Sequence, residues 1–179
     1  MAGSDRSSRP WRRRSGDTTA RSSVGSATAC ARFLALRARW KGTLVVKGIM
    51  SAEDAMRADE TGVDGVIVSN HGGRQLDGTV SPLRVLPEIV TAVRGMPVMM
   101  DGGIRRGTDV LKAFALGARF VWVGRPFNYA AAVASEAGVL HAATLLRNEI
   151  DRDLALLGVT SLSQVGPQHL VKIGGIDGR

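Results

Sequence analysis

The sequence predicts an α/β chain built on a parallel sheet and amounting to about half of a (β/α)8 barrel. Three observations carry this. Short β-branched runs alternate with helix-length segments between Leu44 and Leu157. Each polar, glycine-rich cluster falls directly after one of those runs. The units fill residues 44–157, whereas a complete barrel takes about 250 residues. Alternation of this kind means βαβ crossovers and parallel pairing. Barrels and open α/β sheets both place their sites at the C-terminal ends of the strands, where the glycine-rich clusters stand.

The elements follow in order. Phe33, Leu34, Leu36 and Trp40 form a short apolar face ahead of Lys41-Gly42. Leu44–Lys47 is a compact apolar run, read as a buried strand. Ser51 with Asp54 is a helix-start pair, and the helix it opens runs to about Glu60 before Gly62 closes it. Val63–Asn70 is the next strand. Ser81-Pro82 opens a helix to about Arg94, with proline at the first helical position. Pro97–Asp101 is a strand, Thr108 caps a helix that Gly117 ends, and Arg119–Val123 is a fourth strand. Two further helical stretches are expected, at about Tyr129–Ala137 and Leu140–Leu157.

Residues 1–29 are a different kind of sequence. Ser, Arg, Thr, Gly and Ala dominate, no helical or strand period is visible, and a disordered leader is expected. It reads as a solvated tail, as translated sequence upstream of a truncated gene, as an organelle transit peptide, or as an arginine run able to touch phosphates. Residues 30–179 form the folded domain. The net charge of +8 belongs to the start of the chain: residues 1–41 hold ten Lys and Arg against two Asp and Glu, and the rest is neutral. A basic isoelectric point therefore does not make the folded part a nucleic-acid binder. Aromatic residues at 4% argue against base-stacking platforms. No apolar run approaches the roughly 18 residues of a membrane span, so no transmembrane segment is expected. The single Cys30 excludes a disulfide framework and a cysteine zinc site, which points to a reducing cytoplasm.

Three clusters carry the chemistry. In Ser69-Asn70-His71-Gly72-Gly73-Arg74 a histidine just past a strand can act as a base near neutral pH. Arg74 offers a planar fork suited to a carboxylate. Base plus carboxylate clamp suggests an α-substituted carboxylic acid, although a turn histidine satisfied by backbone has the same local look. Lys47 ends an apolar strand and either snorkels or places a fixed positive charge beside a ligand that becomes anionic. Asp101-Gly102-Gly103-Ile104-Arg105-Arg106-Gly107 lies between a strand and a helix, and Gly124-Arg125 follows the next strand. Together they read as a phosphate nest built with helix N-terminal amides, or as a glycine turn with surface arginines. The spacing is neither the dinucleotide fingerprint nor the nucleotide P-loop.

The segments LVVKGI, GVDGVIVSNHGGRQLD, DGGIRRGTDVLKAFALGA and VGRPF, in this order, closely resemble the FMN-dependent α-hydroxy-acid dehydrogenases and oxidases, from about Phe33 to Gly175. The family includes L-lactate dehydrogenase, glycolate oxidase and mandelate dehydrogenase types. The resemblance implies the C-terminal half of a TIM (β/α)8 barrel, an FMN cofactor, and oxidation of an L-α-hydroxy acid, lactate first among them, to the α-keto acid. By position, it makes His71 the base and Arg74 the substrate-carboxylate ligand. Lys47 would stand near flavin N1 and C2=O and stabilise the anionic reduced ring. Ser69 would contact the flavin, and Asp101 the ribityl chain. Gly103, Arg105, Gly124 and Arg125 would hold the phosphate. The implied partners are a small 2-hydroxy acid and an electron acceptor (oxygen, quinone or cytochrome), with a homo-oligomer for the intact enzyme and peripheral membrane association if the acceptor is a quinone. The family's first half, with the aspartate that partners the histidine, finds no counterpart in the leader. The chain is therefore expected to be a second half behind an unrelated leader, from a truncated or frameshifted gene, and either part of such an enzyme or an inactive remnant that at most binds FMN or phosphate weakly.

Overall fold

The computed structural model describes residues 33–171 and residue 173. The expected leader, residues 1–29, lies outside them. Four parallel strands, β1 (Val45–Ile49), β2 (Gly65–Val68), β3 (Val98–Asp101) and β4 (Phe120–Trp122), pair in chain order. Helices α1 (Ala52–Glu60), α2 (Pro82–Ala92) and α3 (Gly107–Ala115) make the crossovers, and α4 (Arg125–Leu156) follows β4. Residues 33–39 are also helical, and Arg37 ties that helix to the sheet through Asp64 at 2.8 Å.

The sheet has two faces because side chains alternate along each strand. Val46, Val66, Val68, Val98 and Met100 point to the helices and form the core with Ala55, Ala58, Leu86, Ile89, Val110 and Ala113. Burying each large side chain among them contributes about 1.5–3 kcal/mol. The other face carries Lys47, Ile67, Met99 and Phe120 in one paired row, and Asp101 with Trp122 in the next. Phe120 and Trp122 are about half exposed there and pack edge to face at 5.1 Å.

Several element boundaries differ from the expectation. β1 runs on through Gly48 to Ile49, with a register shift against β2 between Lys47 and Ile49. The cap of α3 is Arg106, one residue before the helix, and Thr108 lies inside it. The work expected of Thr108 is done by Asp109, whose carboxylate accepts the Arg105 and Arg106 amides at 3.1 and 3.2 Å. The two late helices are one element broken at Ala134 and Ser135, where the backbone leaves the helical region. A methyl on Gly138 would meet the Ala130 carbonyl, so the corner is tight. α4 also departs from the expectation of no membrane-length apolar segment. By length and composition alone it is apolar enough to cross a membrane, but the corner at Ala134 and Ser135 interrupts it. Its second part nevertheless packs on the body through Leu146, Ile150 and Leu154.

Candidate functional site

Three neighbouring strands contribute to one polar knot: Lys47 comes from the middle of β1, two residues before its end. Lys47 on β1, Ser69 just past β2 and Asp101 at the end of β3 are neighbours because the strands are parallel and in register. Lys47 Nζ lies 2.6 Å from Asp101 Oδ2 and donates to Ser69 Oγ at 3.2 Å. Ser69 Oγ donates to Asp101 Oδ2 at 2.7 Å and accepts the His71 amide at 3.1 Å. Ser69 is 1% exposed, and a buried hydroxyl with every bond made fixes its neighbours. Burial alone would raise the Asp101 pKa. The hydrogen bonds from Lys47 and Ser69, with the charges of Lys47 and His71, outweigh it and hold the carboxyl below the ordinary 3.8. The sign follows: the ionised form is favoured by the fold, so its contribution is present above the ordinary value and lost as pH falls through the lowered one. Asp101→Asn is therefore expected to cost about 1–3 kcal/mol at pH 7, for an ionic hydrogen-bond partner lost. It is also expected to flatten the acid limb of stability, measured as urea midpoints at pH 7, 4 and 2.5.

The histidine loop is shaped by its own backbone. Asn70 Oδ1 accepts the Gly72 amide at 3.0 Å and starts a 3-10 turn over His71–Gly73. His71 has φ +54, a conformation uncommon outside glycine, and such outliers persist where the surroundings enforce them. Here the enforcing bonds are those of Ser69 and Asn70. The ring comes to rest against Gly48, whose missing side chain makes the space: a Cβ there would sit 3.1 Å from His71 Nε2, at a φ of +100 that only glycine adopts readily. Among the described residues His71 hydrogen-bonds through its backbone alone, to Ser69 Oγ and Arg74 N.

Above the knot opens a cleft of about 940 Å³. Lys47, His71, Arg74, Asp101, Gly103, Arg105, Gly124 and Arg125 all line it. Ser69 does not; it faces a second cleft of about 360 Å³ on the other side of His71. Arg125 Nη2 donates to the Gly72 carbonyl at 3.0 Å and so links the end of β4 to the histidine loop. Trp122, Asn128 and Tyr129 also line the cleft and were not singled out from sequence. For Trp122 the signal was present, since it alternates with Phe120 on the open face. For Asn128 and Tyr129 it was their place in the first turn after Gly124-Arg125.

A model described as FMN-dependent dehydrogenase matches residues 5–172. This chain belongs to the FMN-dependent dehydrogenase family. The match begins ahead of Phe33, where the sequence reading starts the resemblance, and takes in most of the segment read as an unrelated leader. A peroxisomal (S)-2-hydroxyacid oxidase of Arabidopsis thaliana and an L-lactate oxidase of Nostoc are each 50% identical over 128 residues, 71% of this chain and 35% of the relative. (S)-mandelate dehydrogenase of Pseudomonas putida is 49% identical over 139 residues, 78% and 35%. The crystal structure of the monotopic membrane protein (S)-mandelate dehydrogenase superposes with a TM-score of 0.78 at 46% identity, over 80% of this chain and 38% of that one. A mandelate oxidase structure with benzoyl-formic acid gives 0.73 at 47%, over 76% and 41%. The chain thus spans about a third of the length of the curated relatives it matches. The fold is the C-terminal half of a TIM (β/α)8 barrel, as the sequence leads one to expect.

FMN is the family's cofactor, and the residues present fit it. The cleft has a cofactor's volume. Arg105, Gly124 and Arg125 line its β3–β4 side and would supply charge and bare backbone to a phosphate there. Lys47 comes from β1, at the opposite edge of the sheet from β4, where a positive charge can face a ring. The knot with Asp101 holds that ammonium in place.

Proposed function

We propose that the cleft binds FMN and that the enzyme to which this chain contributes oxidises an L-α-hydroxy acid, L-lactate first, to the α-keto acid. The observation that supports this most is the gathering of His71, Arg74 and Lys47 around one cleft whose far side carries Arg105 and Arg125. The reaction removes two electrons and two protons from the hydroxyl-bearing carbon and its oxygen. FMN, when bound, supplies the two-electron acceptor. Arg74, which meets no carboxylate among the described residues, binds the substrate carboxylate and fixes which carbon faces His71. His71 takes one proton at its imidazole as the general base. Lys47 offsets negative charge that develops on the cofactor side. Ser69 and Asp101 act by holding Lys47 and the His71 backbone. Gly103, Arg105, Gly124 and Arg125 hold the phosphate. The intact enzyme is read as a homo-oligomer in the cytoplasm, at the membrane surface if its acceptor is a quinone.

The exposed Phe120–Trp122 face supports a second reading, in which this chain alone is inactive and holds FMN or phosphate weakly. Titration of the chain with FMN, followed by quenching of flavin fluorescence, tests the cofactor part of the proposal. Saturable binding that Arg105→Ala and Arg125→Ala weaken is expected. Binding indifferent to both substitutions would remove the phosphate assignment. L-Lactate, glycolate and L-mandelate offered to an enzyme completed with a family-type first half decide the substrate.

A further inference from the structure

Two adjacent arginines, Arg105 and Arg106, leave the glycine loop, yet only Arg105 lines the cleft. The reason lies on α4, about forty residues away. Glu149 Oε1 takes Arg106 Nε at 2.9 Å, and its other oxygen accepts the Gly107 amide at 2.8 Å. The Glu149 side chain is only 21% exposed. The contact depends on a bare backbone at Gly107, where a Cβ would stand 2.7 Å from Glu149 Cβ and 2.8 Å from the Ile150 amide nitrogen.

We propose that Glu149 is a positioning residue that commits Arg106 and Gly107 to the start of α3 and leaves Arg105 to the phosphate of the ligand. This rests on the reading of the cleft as an FMN site. With Asp109 on the Arg105 and Arg106 amides, three consecutive amides at this helix start are spent on the protein's own carboxylates. An anionic ligand gains none of these three amides and meets two negative charges besides. Three amides of the helix-amide nest expected from sequence are therefore already taken. A phosphate is received by the Arg105 guanidinium, Gly103 and the Gly124–Arg125 backbone instead. Without the Glu149 carboxylate, Arg106 loses its anchor and the Gly107 amide its acceptor, and the loop that aims Arg105 is held by Asp109 alone.

The test uses the full chain with two ligands that differ by one phosphate, FMN and riboflavin, together with amide hydrogen exchange read without ligand. Glu149→Ala is expected to speed exchange at the Gly107 amide and to weaken FMN binding, each by about tenfold or more, as for loss of a hydrogen bond to a charged group. Riboflavin binding is expected to stay within about twofold, since the lost order concerns the phosphate end alone. Glu149→Gln keeps an acceptor oxygen for Gly107 and is expected to fall between. Asp151→Ala, which removes an exposed pair with Arg147 on the same helix, is expected to change neither reading. Equal weakening of FMN and riboflavin by Glu149→Ala, or unchanged Gly107 exchange, overturns the proposal while leaving the FMN site standing. An unsubstituted chain that binds FMN no better than riboflavin overturns both together.

Discussion

In an enzyme completed with a family-type first half, His71→Gln is expected to slow flavin reduction by L-lactate at least 100-fold, with FMN still bound. A positioned general base contributes about 10²–10⁴-fold, and 100-fold is roughly 2.7 kcal/mol of barrier. The argument is local to the loop. Gln approximates the length of the imidazole and can keep a hydrogen bond, but it cannot take a proton. The loop itself is held by bonds that the substitution leaves alone, those of Ser69 Oγ to the His71 amide and of Asn70 Oδ1 to the Gly72 amide. The FMN contacts assigned to Arg105, Gly124 and Arg125 do not involve the His71 side chain. Anaerobic stopped-flow bleaching of the flavin measures the rate, and fluorescence quenching the occupancy. Arg74→Met, the companion substitution, removes the charged partner proposed for the substrate carboxylate and is expected to weaken substrate binding by about 2–3 kcal/mol. An unchanged rate in His71→Gln would take His71 out of the mechanism.

The parts of this molecule legible in its sequence are those fixed by near neighbours. Ser51 and Asp54 stand three apart, and the Asp54 amide does donate to Ser51 Oγ at the start of α1. Pro82 opens α2, and the glycine clusters fall at the strand ends as alternation requires. Lys47 was legible as a charge in need of an anionic partner, but not that Asp101 supplies it. That pair forms across β2, two strands apart, and needs the register to be known. Thr108 was misread as a cap because the acceptors at that helix start are Asp109 and, from another helix, Glu149, which no local pattern reports. The break at Ser135 likewise has no local sequence signal. Its φ of +49 has no glycine to announce it, and the tight approach of Gly138 to Ala130 belongs to the corner and not to either helix.

On its own, this four-stranded chain is expected to bind FMN chiefly through its phosphate and to show no enzyme-like turnover of L-lactate. The proposed phosphate contacts lie on neighbouring elements, β3 with its loop and β4 with the first turn of α4, and their one distant support, Glu149, belongs to this chain as well. The ring and the substrate need more. Lys47, whose side chain is 41% exposed, and the half-exposed Phe120 and Trp122 face open solvent where a barrel has further strands. A charge held in water stabilises a developing charge far less than one in a dry, preorganised site. The imidazole of His71 also lacks a side-chain partner among the described residues to set its tautomer and orientation, and an unoriented base loses most of its advantage. Among the described residues β1 and β4 pair on one side only, and such edges favour association at high concentration. The expected result is a chain that quenches FMN fluorescence more than riboflavin fluorescence, elutes as oligomers or aggregates, and bleaches its flavin with L-lactate no faster than free FMN does. A soluble monomer that bleaches at an enzyme-like rate would show that four βα units suffice to exclude water and orient His71.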